Sequence, residues 1–256
     1  MSEPLVLISN PRPGVVELTL NRPDKRNALS IPLLEQLVAQ VFAAQDDDAN
    51  RVLVLRGAGK VFCAGLDLAE ATDPEKAHRS AEAVAKALRV IAHCRLVTVA
   101  RVHGAAIAGG AGLMAACDLV VADEDTKVGY PEVHRGLVAG LIMPFIVRQA
   151  PLRAVSELML TGSLIDAKRA AELGLVNRAV ANIELDAEMT VLLTDLLKAA
   201  PLAQQRTKRV IDRCVPDDLD EALGLALDDH MHARQSPEAA EGLAAFLEKR
   251  EPNWRL

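Results

Sequence analysis

Aromatic side chains make up only 2% of this 256-residue chain: four Phe, one Tyr and one Trp. The core must therefore be built from Leu, Val, Ile and Ala, and the stacking platforms that single-stranded nucleic acids need are missing. Net positive charge is missing too. The formal charge of −6 argues against general affinity for nucleic acid, although local basic patches remain free to meet a phosphorylated small molecule. Cysteine is scarce: Cys63, Cys94, Cys117 and Cys214 show neither CxxC nor Cys/His ligand spacing. No metal site is expected, and the four read as small buried hydrophobes in a reducing compartment. No apolar run reaches the length of a membrane span. The start Met1-Ser2-Glu3-Pro4 lacks the charged and apolar regions of a signal peptide, so a cytoplasmic location is expected. Internal repeats, low-complexity tracts and long linkers are absent as well.

What is present is ordinary for a globular protein: half the residues hydrophobic, a quarter charged, and enough length for one large domain or one domain with an appendage. Leu5 to Ser9 and Val15 to Leu20 read as strands joined by a turn at Pro11-Arg12-Pro13-Gly14. Ser30 is placed to cap a helix whose apolar positions Leu33, Leu34, Leu37, Val41 and Phe42 recur at helical spacing. Strands are predicted at Arg51–Leu55, Leu96–Val102 and Leu119–Val121, and a helix over Ala81–Ala92. This alternation predicts an α/β fold with helices packed on a largely parallel sheet. Beyond about Pro144 strand signals nearly vanish apart from Leu175–Val180. Helices are expected at Ala154–Leu160, Asp166–Leu173, Leu185–Ala199, Leu202–Cys214, Leu219–His232 and Pro237–Glu248. Such a helical tail needs a surface for its apolar faces, and a neighbouring subunit is one option.

Three segments carry candidate chemistry. In Phe62-Cys63-Ala64-Gly65-Leu66-Asp67, Gly65 can adopt backbone angles that aim the next N–H into a cavity; a tight strand-to-helix turn is the alternative. In His103–Leu113, Gly104, Gly109, Gly110 and Gly112 stand among alanines. Gly109-Gly110 falls where a helix should begin, so its amides are unpaired and point outward along the helix dipole; close packing of a buried helix would use the same small residues. Two converging backbone donors can hold a carbonyl oxygen as it gains negative charge. In Gly129-Tyr130-Pro131-Glu132, the carboxylate of Glu132 is suited to moving a proton beside such a carbonyl, or to capping a helix that starts at Pro131. His134 and Arg135 default to solvated or ion-paired surface positions, and His103 to a structural one. The loop Leu20–Leu29 contains Arg22, Lys25 and Arg26, either an ordinary polar loop or a grip on phosphate.

Taken together these segments resemble the enoyl-CoA hydratase/isomerase family, the crotonase superfamily. The likeness spans essentially the whole chain: Leu-Asn-Arg-Pro (Leu20–Pro23), Phe-Cys-Ala-Gly-Leu-Asp, the glycine-rich run ending in Ala116-Cys117-Asp118, and Pro-Glu-Val followed by Gly136-Leu137. It continues through Leu160-Thr161-Gly162, Ala170–Val176 and the tail Phe246–Arg250. The resemblance implies a spiral of ββα units over residues 1–195. Residues 196–256 would form a helical C-terminal region that drives assembly into a homotrimer or a dimer of trimers. It implies a coenzyme A thioester as substrate with no separate cofactor. The backbone N–H groups of Leu66 and Gly109 would hold the thioester oxygen, and Glu132 would move the proton. Coenzyme A contacts are expected from Lys25, Arg26, Ala64 and Asp67, with Lys249 reaching in from a neighbouring subunit.

One departure bears on the reaction. Hydratases of the best-known type place two glutamates around the substrate double bond, and the first of these falls here on Gly112. The leading expectation is hydration of a 2-enoyl-CoA with Glu132 handling the proton. The alternatives are a Δ3-Δ2-enoyl-CoA isomerase working with one glutamate and a non-catalytic acyl-CoA-binding protein. Acyl-pocket walls are expected from Leu68 to Ala85 and from helices beyond Met143.

Overall fold

The computed structural model describes residues 3–71, 73–215 and 218–254. Strand β1 (Val6–Arg12) pairs antiparallel with β2 (Val15–Leu20). The turn is tighter than expected, because β1 runs on through Pro11 and Gly14 alone takes a left-handed φ of 81°. Then follow α1 (Ile31–Asp46), β3 (Val52–Gly57), α2 (Leu68–Ala71), α3 (Pro74–Ala92), β4 (Val97–Val102), β5 (Ala105–Ile107), α4 (Gly109–Ala115), β6 (Leu119–Asp123) and β7 (Lys127–Gly129). The second half contributes α5 (Met143–Ile146), α6 (Leu152–Thr161), β8 (Leu164–Asp166), α7 (Ala167–Glu172), β9 (Arg178–Val180) and four longer helices. These are α8 (Leu185–Lys198), α9 (Pro201–Cys214), α10 (Leu219–Arg234) and α11 (Pro237–Glu248).

The main sheet has the order β1-β2-β3-β4-β6-β9, and every pairing after the first is parallel. Strand β3 shows why. Its run Val52-Leu53-Val54-Leu55 is buried on both faces, as parallel strands between two layers must be. Leu53 and Leu55 enter the large core beneath α1 and α3. Val52 and Val54 join Val15, Val99 and Val121 against Leu185, Met189, Leu192 and Leu193 of α8. A second sheet, β5-β7-β8, was not expected from the sequence. Its strands are three residues long, too short for any period to register.

Several expectations need correction. Ser30 makes no side-chain capping bond; the first amide of α1, that of Ile31, donates instead to Glu70 Oε2 at 2.7 Å. Phe42 is exposed rather than facing the core. Helix α3 begins at Pro74, because Asp73 accepts from the Glu75 amide and closes its N-terminus well before Ala81. Cys63, Cys94 and Cys117 are buried and unpaired as expected, but Cys214 is exposed at the end of α9. Leu219 and Leu223 of α10 are buried in the same large core as the first half of the chain. No helix among the described residues is long and apolar enough to cross a membrane.

Candidate active site

Three chain segments run side by side at the carboxyl ends of parallel strands, the usual place for a site in such sheets. Strands β5 and β7 are parallel with Ile107 opposite Gly129, and the Ala108 amide extends the ladder to the Gly129 carbonyl at 2.9 Å. Gly109 and Glu132 therefore leave the sheet as neighbours. The loop after β3 joins from the other side. Cys63 bridges Ala106 in parallel, its amide bonding to Ala105 and its carbonyl accepting from Ile107. Leu29 grips the next residues, donating to the Gly65 carbonyl at 2.8 Å and accepting from the Asp67 amide at 3.1 Å.

The two predicted donors come together in this frame. Gly65 has φ +97°, a value that favours glycine. A Cβ built on Gly65 would stand 3.6 Å from the Gly109 nitrogen, and one on Gly109 would stand 3.9 Å from the Leu66 nitrogen. Ala108 is held at φ 52°, a region that costs a non-glycine residue about 1–3 kcal/mol and that directs the following amide away from its own helix. Neither the Leu66 nor the Gly109 N–H has a hydrogen-bond partner among the described residues.

Leu66, Gly109 and Glu132 all line one cavity of about 50 Å³, together with Ala81, Val84, Arg135, Leu137, Ile142 and His230. Glu132 sits in a single 3₁₀ turn, Pro131–Arg135, and is only 8% exposed. Its Oε2 is buried and has no hydrogen-bond partner. Burial pushes its pKa up to about 7; its own main-chain N–H and the nearby Arg135 charge oppose the rise without cancelling it. A carboxyl group poised near neutrality can both take and return a proton.

The position that lacks an acid has apolar surroundings. A Cβ on Gly112 would meet Ile142 Cγ1 at 3.0 Å and Leu88 Cδ2 at 3.6 Å. Arg135, expected on the surface, is half-buried in the cavity wall with its guanidinium 4.3 Å from the centre of the Phe246 ring. His134 is exposed and bonds through Nε2 to the Thr161 carbonyl, and His103 holds the Gly59 carbonyl, so both are structural.

Of the remaining predicted residues, Lys25 and Arg26 lie exposed in and just after the turn Pro23–Lys25, outside the cavity wall. The Ala64 amide donates to the Arg26 carbonyl, tying that basic turn to the Gly65 loop. The Asp67 carboxylate is engaged by Arg22 at 2.9 Å, which braces the loop. Lys249 is exposed at the left-handed end of α11. The cavity wall includes Ala81 and Val84, within the stretch Leu68–Ala85, and residues of the segment Leu137–Ile142 ahead of Met143. A larger groove of about 730 Å³, between β4 and α9, contains none of the predicted site residues.

Two residues escaped the sequence reading. Asn27 is fully buried, and its Nδ2 lies within hydrogen-bond distance of the carbonyls of Ala58, Val61 and Phe62 while its Oδ1 accepts from the Arg22 amide. It staples the basic loop to the loop that carries Leu66. The second is His230, 5% exposed on α10, a helix that sequence pattern identified without singling out any polar position.

The chain belongs to the enoyl-CoA hydratase/isomerase family, whose model matches residues 11–256. Among solved structures it resembles an enoyl-CoA hydratase from Mycobacterium avium, with a TM-score of 0.89 and 35% identity over 99% of this chain and all of that one. It is 34% identical over 257 residues to the mouse (Mus musculus) enoyl-CoA hydratase domain-containing protein 2, mitochondrial, covering 96% of this chain and 86% of the relative. It is 33% identical over 255 residues to mevalonyl-coenzyme A hydratase sidH of Aspergillus fumigatus, covering 97% and 94%. The α/β fold is that of the crotonase superfamily, and membership supports an enzyme of that superfamily.

Proposed function

We propose that the protein hydrates a 2-enoyl-CoA. The observation that carries the reading is the convergence of two unpaired amides, Leu66 and Gly109, on the cavity where the Glu132 carboxyl lies buried with its Oε2 unpartnered. The amides would hold the thioester oxygen as addition at C3 turns the thioester into an enolate, each contributing about 3–4 kcal/mol in the transition state. Glu132 would take a proton from the attacking water and deliver it to C2. Lys25 and Arg26 supply local positive charge suited to the coenzyme A phosphates. The helical tail supports assembly with further copies, because Leu202, Val210 and Ile211 of α9 are exposed.

The apolar surroundings of Gly112 favour a second reading, Δ3-Δ2-enoyl-CoA isomerisation, in which Glu132 moves one proton from C2 to C4 and no water is added. Incubation with crotonyl-CoA and with a 3-enoyl-CoA separates the two. Loss of the conjugated enoyl absorbance with crotonyl-CoA supports hydration, whereas turnover of the 3-enoyl thioester alone rejects it. Glu132→Gln is expected to lower kcat by about 10²-fold or more while acyl-CoA binding stays within a few-fold. Full activity in that variant would remove Glu132 from the chemistry. Tight acyl-CoA binding by wild-type protein that turns over neither substrate would mark a binding protein.

A further inference from the structure

His230 forms part of the wall of the cavity that holds Glu132. It is buried, and its ring is fixed from two sides. Nδ1 lies 2.9 Å from the Val138 carbonyl, which can only accept, so Nδ1 carries the hydrogen. Gly140 allows α10 to come close: a Cβ there would meet the Ala226 carbonyl oxygen at 2.7 Å and His230 Cβ at 3.3 Å. Burial, with a smaller contribution from the Arg234 charge, holds the ring below the ordinary histidine pKa, so it is neutral at physiological pH. With the hydrogen on Nδ1, Nε2 presents a bare lone pair. That atom is buried and has no partner. An unsatisfied acceptor of this kind is rare in a native interior and calls for a donor that arrives with a ligand.

Addition of water needs such an acceptor. One hydrogen of the nucleophile must go to Glu132, and the other must be held so that an oxygen lone pair points at C3. The position at which a second glutamate would accept that hydrogen is Gly112, which carries no side chain and is bordered by the apolar Ile142 and Leu88. We propose that His230 Nε2 takes over this task and orients the nucleophilic water across the cavity from Glu132. This rests on the hydratase reading and supplies what a single carboxylate lacks.

The step balances without another reactant. The water oxygen forms a bond to C3, and the C2–C3 π pair moves into the enolate held by the Leu66 and Gly109 amides. One water hydrogen passes to the Glu132 carboxylate and from there to C2. The other stays on oxygen, hydrogen-bonded to Nε2, and becomes the product hydroxyl. His230 gains and loses no proton. The cavity of about 50 Å³ has room for a few water molecules between these groups.

The test compares two reactions that share everything but water. Hydration of crotonyl-CoA needs the oriented nucleophile; exchange of the C2 hydrogens of butyryl-CoA in D2O needs only Glu132 and the two amides. His230→Phe is expected to lower kcat for hydration by about 10²-fold and to change exchange less than about threefold. His230→Gln, which returns an acceptor near the Nε2 position, should recover part of the hydration rate. Unchanged hydration in His230→Phe overturns the proposal, as does an equal fall in both reactions, which would make His230 a packing residue. Wild-type protein that exchanges C2 hydrogens yet adds no water would instead remove the hydratase reading and leave His230 without this task.

Discussion

A carboxyl group taken out of water prefers to stay protonated, and the buried Glu132 makes that preference measurable. Its pKa rises from an ordinary 4.5 to about 7 on folding. Below about pH 4.5 the group is protonated in both folded and unfolded chains. Between there and about 7 only the folded chain retains the proton, so stability falls as pH rises through this window, by about 3 kcal/mol in all. Glu132→Gln abolishes the loss. Its stability relative to wild type should therefore increase from pH 5 to pH 8, and denaturant unfolding at both values checks this; an equal difference at the two pH values would show the carboxyl to be solvated. The wild-type kcat/KM should fall on the acid side with a midpoint near 7, as the carboxylate that takes the proton disappears. Glu132 was visible in the sequence because Pro131 and the glycine-rich run before it were. His230 was not, since nothing in the local pattern of α10 distinguishes a histidine facing a cavity from one facing solvent.

At the scale of elements, the site depends on how closely α4 approaches the Gly65 loop. A Cβ on Gly110 would lie 2.4 Å from the Cys63 carbonyl oxygen and 2.8 Å from its Cβ, and both segments are tied by backbone bonds. Gly110→Ala must push them apart. The expected cost is about 1–3 kcal/mol of stability, with a loss of kcat/KM, because the Leu66 and Gly109 amides separate. Gly224, on α10, has nothing within 4 Å of a built Cβ. Gly224→Ala should instead stabilise by up to about 1 kcal/mol from helix propensity, with activity unchanged. Thermal unfolding and a steady-state assay of the two variants would distinguish a glycine that permits contact from one that merely occupies a helix. Sequence pattern located both glycines and the helices around them. It could not tell which was pressed against a neighbour, because that depends on the bridge between Cys63 and Ala106, residues 43 positions apart.

For the whole molecule, the net charge of −6 repels an anionic substrate, and the exposed Lys25 and Arg26 provide a local exception. If they meet the coenzyme A phosphates, Lys25→Ala with Arg26→Ala raises KM several-fold at low salt and leaves kcat nearly unchanged. The gap between variant and wild type should close as ionic strength rises toward 1 M, where the screening length is about 3 Å. A salt-independent difference would place the phosphates elsewhere.

The amino-acid order alone determined the alternation of buried strands and amphipathic helices, the family motifs, the two amide-bearing loops and the missing acid at Gly112. These are local properties, set by period, by glycine and proline, and by short ordered patterns. Tertiary structure decided which of these groups share a space. The parallel register of β5 on β7 brings Gly109 beside Glu132, and the Cys63 bridge adds Leu66. The packing of α10 over Gly140 brings in a histidine from almost a hundred residues away. Such meetings depend on long-range hydrogen bonds and close packing between segments, which no window of sequence contains.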